Sequence, residues 1–474
     1  MREITNAPMK EKNNYGIIIF VLLVTCILYF VYAQKIWVPR LAKRPNILLI
    51  TICSLRQDHL GCYGYSRNTS PNIDILANAS IIYKNCHTHI PWTKPSIIAL
   101  MTGKYPASAV TVEKEIPLAA LLHSIGYLTC GVIGTNVARQ GAKVDTGFET
   151  FLDNRNLKTS KDPHSVQADT IASEAIEFLN KSQTGREPIF LWLLFKDPHW
   201  PYMPPLGYKR KFLHDLLYEQ HIQKLVINDN YNNSIGGIGE ARLTNTNGDF
   251  ITDKAYYISQ YDAEILFTDN QIGRIIEYLK QKGGYDDWVI ILLSDHGESL
   301  GEDNYFFDHG YKLTEGTTRI PLIIKLPRHK KREVTNIPTS ICDVYPTIMK
   351  LAGLHEDMSK NNIYGRNILD QDRLGQNRYN SVRTIMLENA PGHEDEHMKL
   401  LGCIWKSYKL IHNITINKKT LFDISKEESR LGNYDAMEQK IIVRMSKFIA
   451  SFFNNFNNVS TVSREELKSL GYLQ

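Results

Sequence analysis

The sequence predicts an α/β fold in which a mostly parallel central sheet carries helices on both faces. Short, wholly apolar runs recur along the chain, as in strands buried on both sides, and amphipathic helical patterns lie between them. The composition allows a large core, with 43% hydrophobic and 22% charged residues in a chain of 474. Those values exclude global disorder, collagen and coiled coil. A net charge of +5 is weak and dispersed, so no nucleic-acid partner is expected, while a membrane or an anionic substrate stays open. The seven cysteines have neither zinc-finger nor CxxC spacing and do not read as a disulfide framework.

In chain order, a short head at 1–14 is followed by an uncharged stretch at 15–33, YGIIIFVLLVTCILYFVYA. At about 1.5 Å per residue it matches the hydrocarbon thickness of a bilayer. Tyr29, Tyr32 and Trp37 suit an interfacial belt at one end. A cleaved signal or a buried helix would be the other readings, but no small-residue cleavage site follows, so a transmembrane helix is expected. Basic residues flank both ends, and positive-inside counting leaves the topology open. A linker at 34–44 leads to the main domain, expected at 45–374.

There Ile47–Ile52, Thr129–Ile133, Ile189–Phe195 and Val289–Leu293 read as strands, with helices at Ser165–Asn180 and Tyr256–Lys282. Strand, crossover helix and strand imply parallel pairing, with ligands at the carboxyl ends of the strands. An Asn- and Gly-rich insertion at about 203–255 reads as a surface excursion. From 375 to 474 the pattern shifts to short strands and a last helix near Glu438–Phe453, a small α+β subdomain.

Polar residues collect where three strands end: Cys53 to His59, Lys196 to Pro201, and Ser294 to Glu298. A fourth element, PWTKPS, precedes an apolar helix. Pro95 suits a first helical turn, which places Thr93 just before an amino terminus whose free N–H groups favour an anion.

RPNILLIT, LRQDHLGCYGY, SPNIDILA, TKPSIIALMTGKYP, GFETF, DPHWPY, SDHGESLGE and RIPLIIKLP follow one another in an order that resembles the sulfatase family of the alkaline phosphatase superfamily. The resemblance runs from about 45 to the end of the chain. It implies a sulfatase-like fold and a metal-dependent hydrolase or transferase acting on sulfate or phosphate esters. In the family signature, C-x-P-S-R or S-x-P-S-R, the first residue is oxidised to formylglycine. Here that position is Thr93, which would give a ketone, and Ile97 stands in place of the arginine. Related phosphoethanolamine and phosphoglycerol transferases use a metal-bound threonine as nucleophile, so the resemblance admits phosphoryl as well as sulfuryl chemistry.

Asp295 and His296 match the family's later metal-ligand pair, whereas Cys53 and Ser54 occupy the positions of its early acidic pair. The resemblance thus implies one divalent metal ion held by Asp295, His296, Thr93 and Cys53. If Cys53 ligates, zinc or manganese is favoured over calcium. His199 matches the histidine that can protonate the leaving oxygen, with an ordinary pKa suited to that work. His309 falls where relatives place a group on the substrate oxyanion. Arg56, Asp58 and His59 are read as shaping a turn, and Asn136 as a neighbour of the pocket. The membrane is a partner through the helix at 15–33, with the main domain facing outward as in related anchored members. The alternative is a catalytically decayed sulfatase fold that binds an anionic glycan, lipid or protein partner.

Overall fold

The computed structural model describes residues 44–106, 116–135, 143–154, 156–157, 166–182, 187–228, 234–354, 363–369, 383–390, 399–425, 429–430 and 434–459. The stretch at 15–33, the head before it, most of the linker, Asn136 and the boundary drawn at 374/375 lie outside them. Among the described residues no helix is long and apolar enough to cross a membrane.

Every residue of β1 (Ile47–Ile52) is buried, as its unbroken apolar sequence requires. It lies inside an eight-stranded sheet with β2 (Ile81–Tyr83), β3 (Leu128–Ile133), β4 (Thr150–Leu152), β5 (Ile189–Phe195), β6 (Val289–Ser294), β7 (Leu322–Lys325) and β8 (Glu333–Thr335). The spatial order is β8-β2-β7-β6-β1-β5-β3-β4. β7 runs antiparallel to β6 and β2, and the other pairings are parallel. The sheet is therefore mixed, with its parallel strands in the majority.

Helices α1 (Pro71–Ala77), α2 (Thr93–Thr102), α3 (Leu118–Ser124), α4 (Ala168–Lys181), α5 (Lys254–Gln281) and α6 (Val344–Leu351) cover both faces. Alternation along β1 makes the division. Leu48, Ile50 and Ile52 join the core under α1, α4 and α5, while Ile47 and Leu49 join the one under α2, α3 and α6. α5 starts two residues before the expected Tyr256 because the Asp253 side chain caps it, accepting from the Ala255 N–H. The register sets Ile52 beside Phe195 on one side and Ser294 on the other. The carboxyl ends of β1, β5 and β6 thus open together at one edge of the sheet.

A second, antiparallel sheet runs in sequence order through β9 (Thr384–Glu388), β10 (Leu400–Trp405), β11 (Tyr408–Asn413), β12 (Lys418–Asp423) and β13 (Ser429–Arg430). α7 (Ala436–Val459) lays Ile441, Met445 and Ile449 on Cys403, Leu410 and Leu421. Two buried ion pairs tie this layer to the rest. Arg383 Nη2 donates to Asp343 Oδ1 at 2.6 Å, and Lys409 Nζ to Glu315 Oε1 at 2.9 Å. The 203–255 insertion is more than a surface excursion: Phe212, Tyr218, Leu225, Ile238 and Ala241 are buried.

Candidate active site

The site begins where β1 runs out. The Cys53 N–H donates to the Phe195 carbonyl at 2.9 Å, the last rung between β1 and β5, and the chain then turns sharply at Ser54. Ser54 has φ of 57°, a left-handed conformation uncommon for a residue with a side chain. The Tyr261 hydroxyl holds the turn by donating to the Ser54 carbonyl at 2.8 Å, and the Ser54 N–H reaches Asp295 Oδ1 at 3.1 Å. A strained turn therefore links the end of β1 to the carboxylate that follows β6.

Thr93 enters from α2. It is the first residue of the helix rather than the one before it, because Trp92 serves as cap, and Pro95 still falls within the first turn. Ser96 is structural, donating to the Ile90 carbonyl at 2.7 Å. Ile97 is fully buried among apolar side chains and brings no charge. The Thr93 hydroxyl lies 3.1 Å from His296 Nε2 and 3.4 Å from Cys53 Sγ. His296 Nδ1 donates to the Gly297 carbonyl at 2.8 Å. In the tautomer with its proton on Nδ1, Nε2 presents a lone pair to which the threonine hydroxyl can donate.

Cys53, Asp295 and His296 place ligand atoms within 4.8 Å of one another, all buried. Asp295 Oδ1 is engaged by the Ser54 and His296 N–H groups, but Oδ2 is buried without a hydrogen-bond partner among the described residues. A bare carboxylate oxygen beside a thiol, an imidazole nitrogen and a hydroxyl fits a four-coordinate cation. The same donors do not make the shell of six to eight oxygens that calcium takes. Burial and the Asp295 carboxylate push the Cys53 thiol up.

The second half of the site is built of histidines. The His309 ring centroid lies 4.2 Å from that of His296 and 5.0 Å from that of His199. His199 Nδ1 donates to the Trp200 carbonyl at 2.6 Å, so its Nε2 also carries the lone pair. Burial, then His309 and Lys196, push His199 well below the ordinary histidine value. The ordinary value assumed from sequence does not apply to it, and the resting ring is neutral.

Glu298 was not singled out from sequence as a site residue. Its Oε1 faces His309 Nδ1 at 2.9 Å, and burial pushes its carboxyl up to about 8. The signal was its place in SDHGE, directly after the metal-ligand pair. Arg56 pairs with Asp58 at 2.7 Å and Glu302 at 2.7 Å, and His59 with Asp262 at 2.6 Å. These contacts hold the turn after β1, as their motif suggested.

A family model, Sulfatase, matches residues 45–354. The chain belongs to the sulfatase family. Among its relatives this sulfatase-family chain is 28% identical over 436 residues to "Uncharacterized sulfatase YidJ" of Escherichia coli K12, covering 82% of this chain and 83% of that protein. It is 22% identical over 450 residues to an arylsulfatase of Clostridium perfringens, with 82% and 90% covered. Solved structures agree on the fold. BT4656 bound to D-glucosamine-2-N,6-O-disulfate gives a TM-score of 0.69 at 19% identity, covering 88% of this chain and 99% of that one. The phosphonate monoester hydrolase of Agrobacterium radiobacter gives 0.67 at 20% identity, with 87% and 96% covered.

Proposed function

We propose that this sulfatase-family protein is a metal-dependent hydrolase or transferase acting on sulfate or phosphate esters, with Thr93 as the nucleophile. The observation that carries it is the Thr93 hydroxyl, 3.1 Å from His296 Nε2 and 3.4 Å from Cys53 Sγ, next to Asp295 Oδ2, which has no hydrogen-bond partner among the described residues. The name of one relative, an arylsulfatase, supports sulfate esters, and that of one fold neighbour, a phosphonate monoester hydrolase, supports displacement at phosphorus.

Asp295, His296 and Cys53, with Thr93, would hold one divalent ion, zinc or manganese in preference to calcium. When bound, that ion neutralises charge on the transferred group and lowers the pKa of the threonine hydroxyl. Thr93 stands in the first turn of α2, where unsatisfied N–H groups also favour a developing alkoxide. Its oxygen loses the hydroxyl proton to solvent and bonds to sulfur or phosphorus, and the bond to the leaving oxygen breaks. His199 protonates that oxygen. An anionic ester drawn up against the ring raises its proton affinity, reversing the effect of burial. His309 donates to an oxygen of the transferred group. Because threonine cannot form the aldehyde hydrate, water or an acceptor hydroxyl must then displace Thr93 at sulfur or phosphorus. The stretch at 15–33 anchors the protein as a single span, with the site on the extracytoplasmic side.

The test compares full-length wild type and Thr93→Ala on 4-nitrophenyl sulfate, bis(4-nitrophenyl) phosphate and a 4-nitrophenyl phosphonate. Turnover by wild type alone is expected on at least one of them. Equal turnover by both proteins removes Thr93 from the mechanism. A second reading, a decayed sulfatase fold that binds an anionic partner, draws on the apolar burial of Ile97 and on the single carboxylate in the cation cluster. It predicts inert wild type on every ester and no stoichiometric metal.

A further inference from the structure

The geometry points to Glu298 as the positioning residue of His309. This rests on the reading above, in which His309 faces an oxygen of the transferred group. After β6 the chain passes through Asp295, His296 and Gly297 and turns Glu298 into the interior, fully buried. The turn is tight: a Cβ on Gly297 would stand 1.9 Å from the Gly316 carbonyl oxygen, and the Gly297 N–H donates to the Thr317 carbonyl at 2.9 Å. Arg56 Nη1 grips the Glu298 carbonyl at 3.0 Å, so the glutamate backbone is held from a second side.

The carboxyl makes one well-formed hydrogen bond among the described residues, to the His309 ring, at 2.9 Å from Nδ1. The Tyr202 hydroxyl approaches the same carboxyl without closing a well-formed hydrogen bond. The Arg56 guanidinium is committed to Asp58 and Glu302 instead. His309 is fixed at its backbone as well, its N–H donating to Asp308 Oδ1 at 2.7 Å and its carbonyl accepting from the Tyr305 hydroxyl at 2.6 Å.

An imidazole has two nitrogens, and a flip of the ring exchanges them. With Nδ1 held by Glu298, Nε2 is the nitrogen through which His309 addresses the transferred group, and the ring stays between His296 and His199. A buried carboxyl without a cationic side chain to neutralise it is costly to the fold. Its retention here is accounted for by the ring it orients.

The experiment is a double-mutant cycle on the full chain with Glu298→Gln, His309→Ala and the double variant. Calorimetric binding of tungstate, a tetrahedral oxyanion, is read beside turnover of the ester that wild type accepts. Glu298→Gln is expected to lower kcat roughly 10- to 100-fold with KM within about twofold, and to weaken tungstate binding roughly tenfold. In the His309→Ala background the same change should add nothing to either loss. Equal losses in both backgrounds, or a single variant within twofold of wild type, overturn the assignment. If Glu298→Gln does not fold, added imidazole decides. Saturable recovery of tungstate binding by His309→Ala is expected with Glu298 intact, and no recovery overturns the proposal. Tungstate coupling without turnover of any ester would sink the catalytic reading while leaving the orienting role standing.

Discussion

At the end of β1 the chain feeds two clusters of polar groups a few residues apart. In one, Arg56 takes Asp58 through Nε and Nη2 at 2.9 and 2.7 Å and Glu302 through Nη1 at 2.7 Å. Asp262 meanwhile meets His59 at 2.6 Å and Arg67 at 2.8 Å. The guanidinium beside Asp58 and Glu302 holds both carboxyls below the usual carboxylate range. In the other cluster, Asp295 Oδ2 has no hydrogen-bond partner among the described residues, Glu298 is pushed up to about 8, and His199 is pushed far down. The first cluster is complete within the fold. The second is left incomplete, and that shortfall is what a cation and an anionic ester can fill.

The contrast breaks first if stability does not follow the complete cluster. Asp262→Ala strands His59, leaves Arg67 with Asp215 alone, and should cost about 3–5 kcal/mol in denaturant unfolding, with turnover per folded molecule little changed. Asp295→Asn should do the reverse. It should lower kcat about 10²- to 10³-fold, roughly 3–4 kcal/mol, while the melting temperature holds or rises because a bare buried carboxylate is gone. A fall in melting temperature would place Asp295 with the structural residues.

The third prediction concerns pH. Glu298 keeps its proton in the folded, chelator-treated protein up to about pH 8, whereas the unfolded chain loses it near 4.5. The native state therefore binds more protons across that window, and stability falls as pH rises through it. Asp308, pushed up to about 7, and Asp197, to about 6, act in the same direction. The slope that disappears in Glu298→Gln is the share that belongs to Glu298, and an unchanged slope would remove it. The smallest effect is expected of Cys53→Asp, which exchanges sulfur for oxygen. Its preference for zinc over calcium should drop about tenfold or more, near 1.4 kcal/mol, read by competitive metal titration.

Long strands were legible because burial on both faces leaves nothing but apolar residues. Ile47–Ile52 and Ile189–Phe195 occur as the sequence suggested. β7 and β8 were not picked out as strands. Four residues, LIIK, and three, EVT, are too short to display a period, and their pairing comes from partners far away in sequence. β10, LLGCIW, was missed for a related reason, its glycine interrupting a run that packing against α7 stabilises. At the site, Thr93, Cys53, Asp295, His296, His199 and His309 could be named because each lies in a motif at a strand or helix end. Their mutual distances could not. The shift of His199 was hidden as well, since it arises from burial beside His309, 110 residues along the chain.

The buried pairs Arg383–Asp343 and Lys409–Glu315 carry a practical message for anyone trimming the gene. Both acids lie inside the segment matched by the family model, while both bases lie beyond it. A recombinant fragment stopping at 354 would strip Asp343 of its arginine and leave Glu315 with Arg319 and His87 but without its lysine, and insoluble material is the expected yield. Purification handles belong ahead of Pro45, and the tail should be left attached.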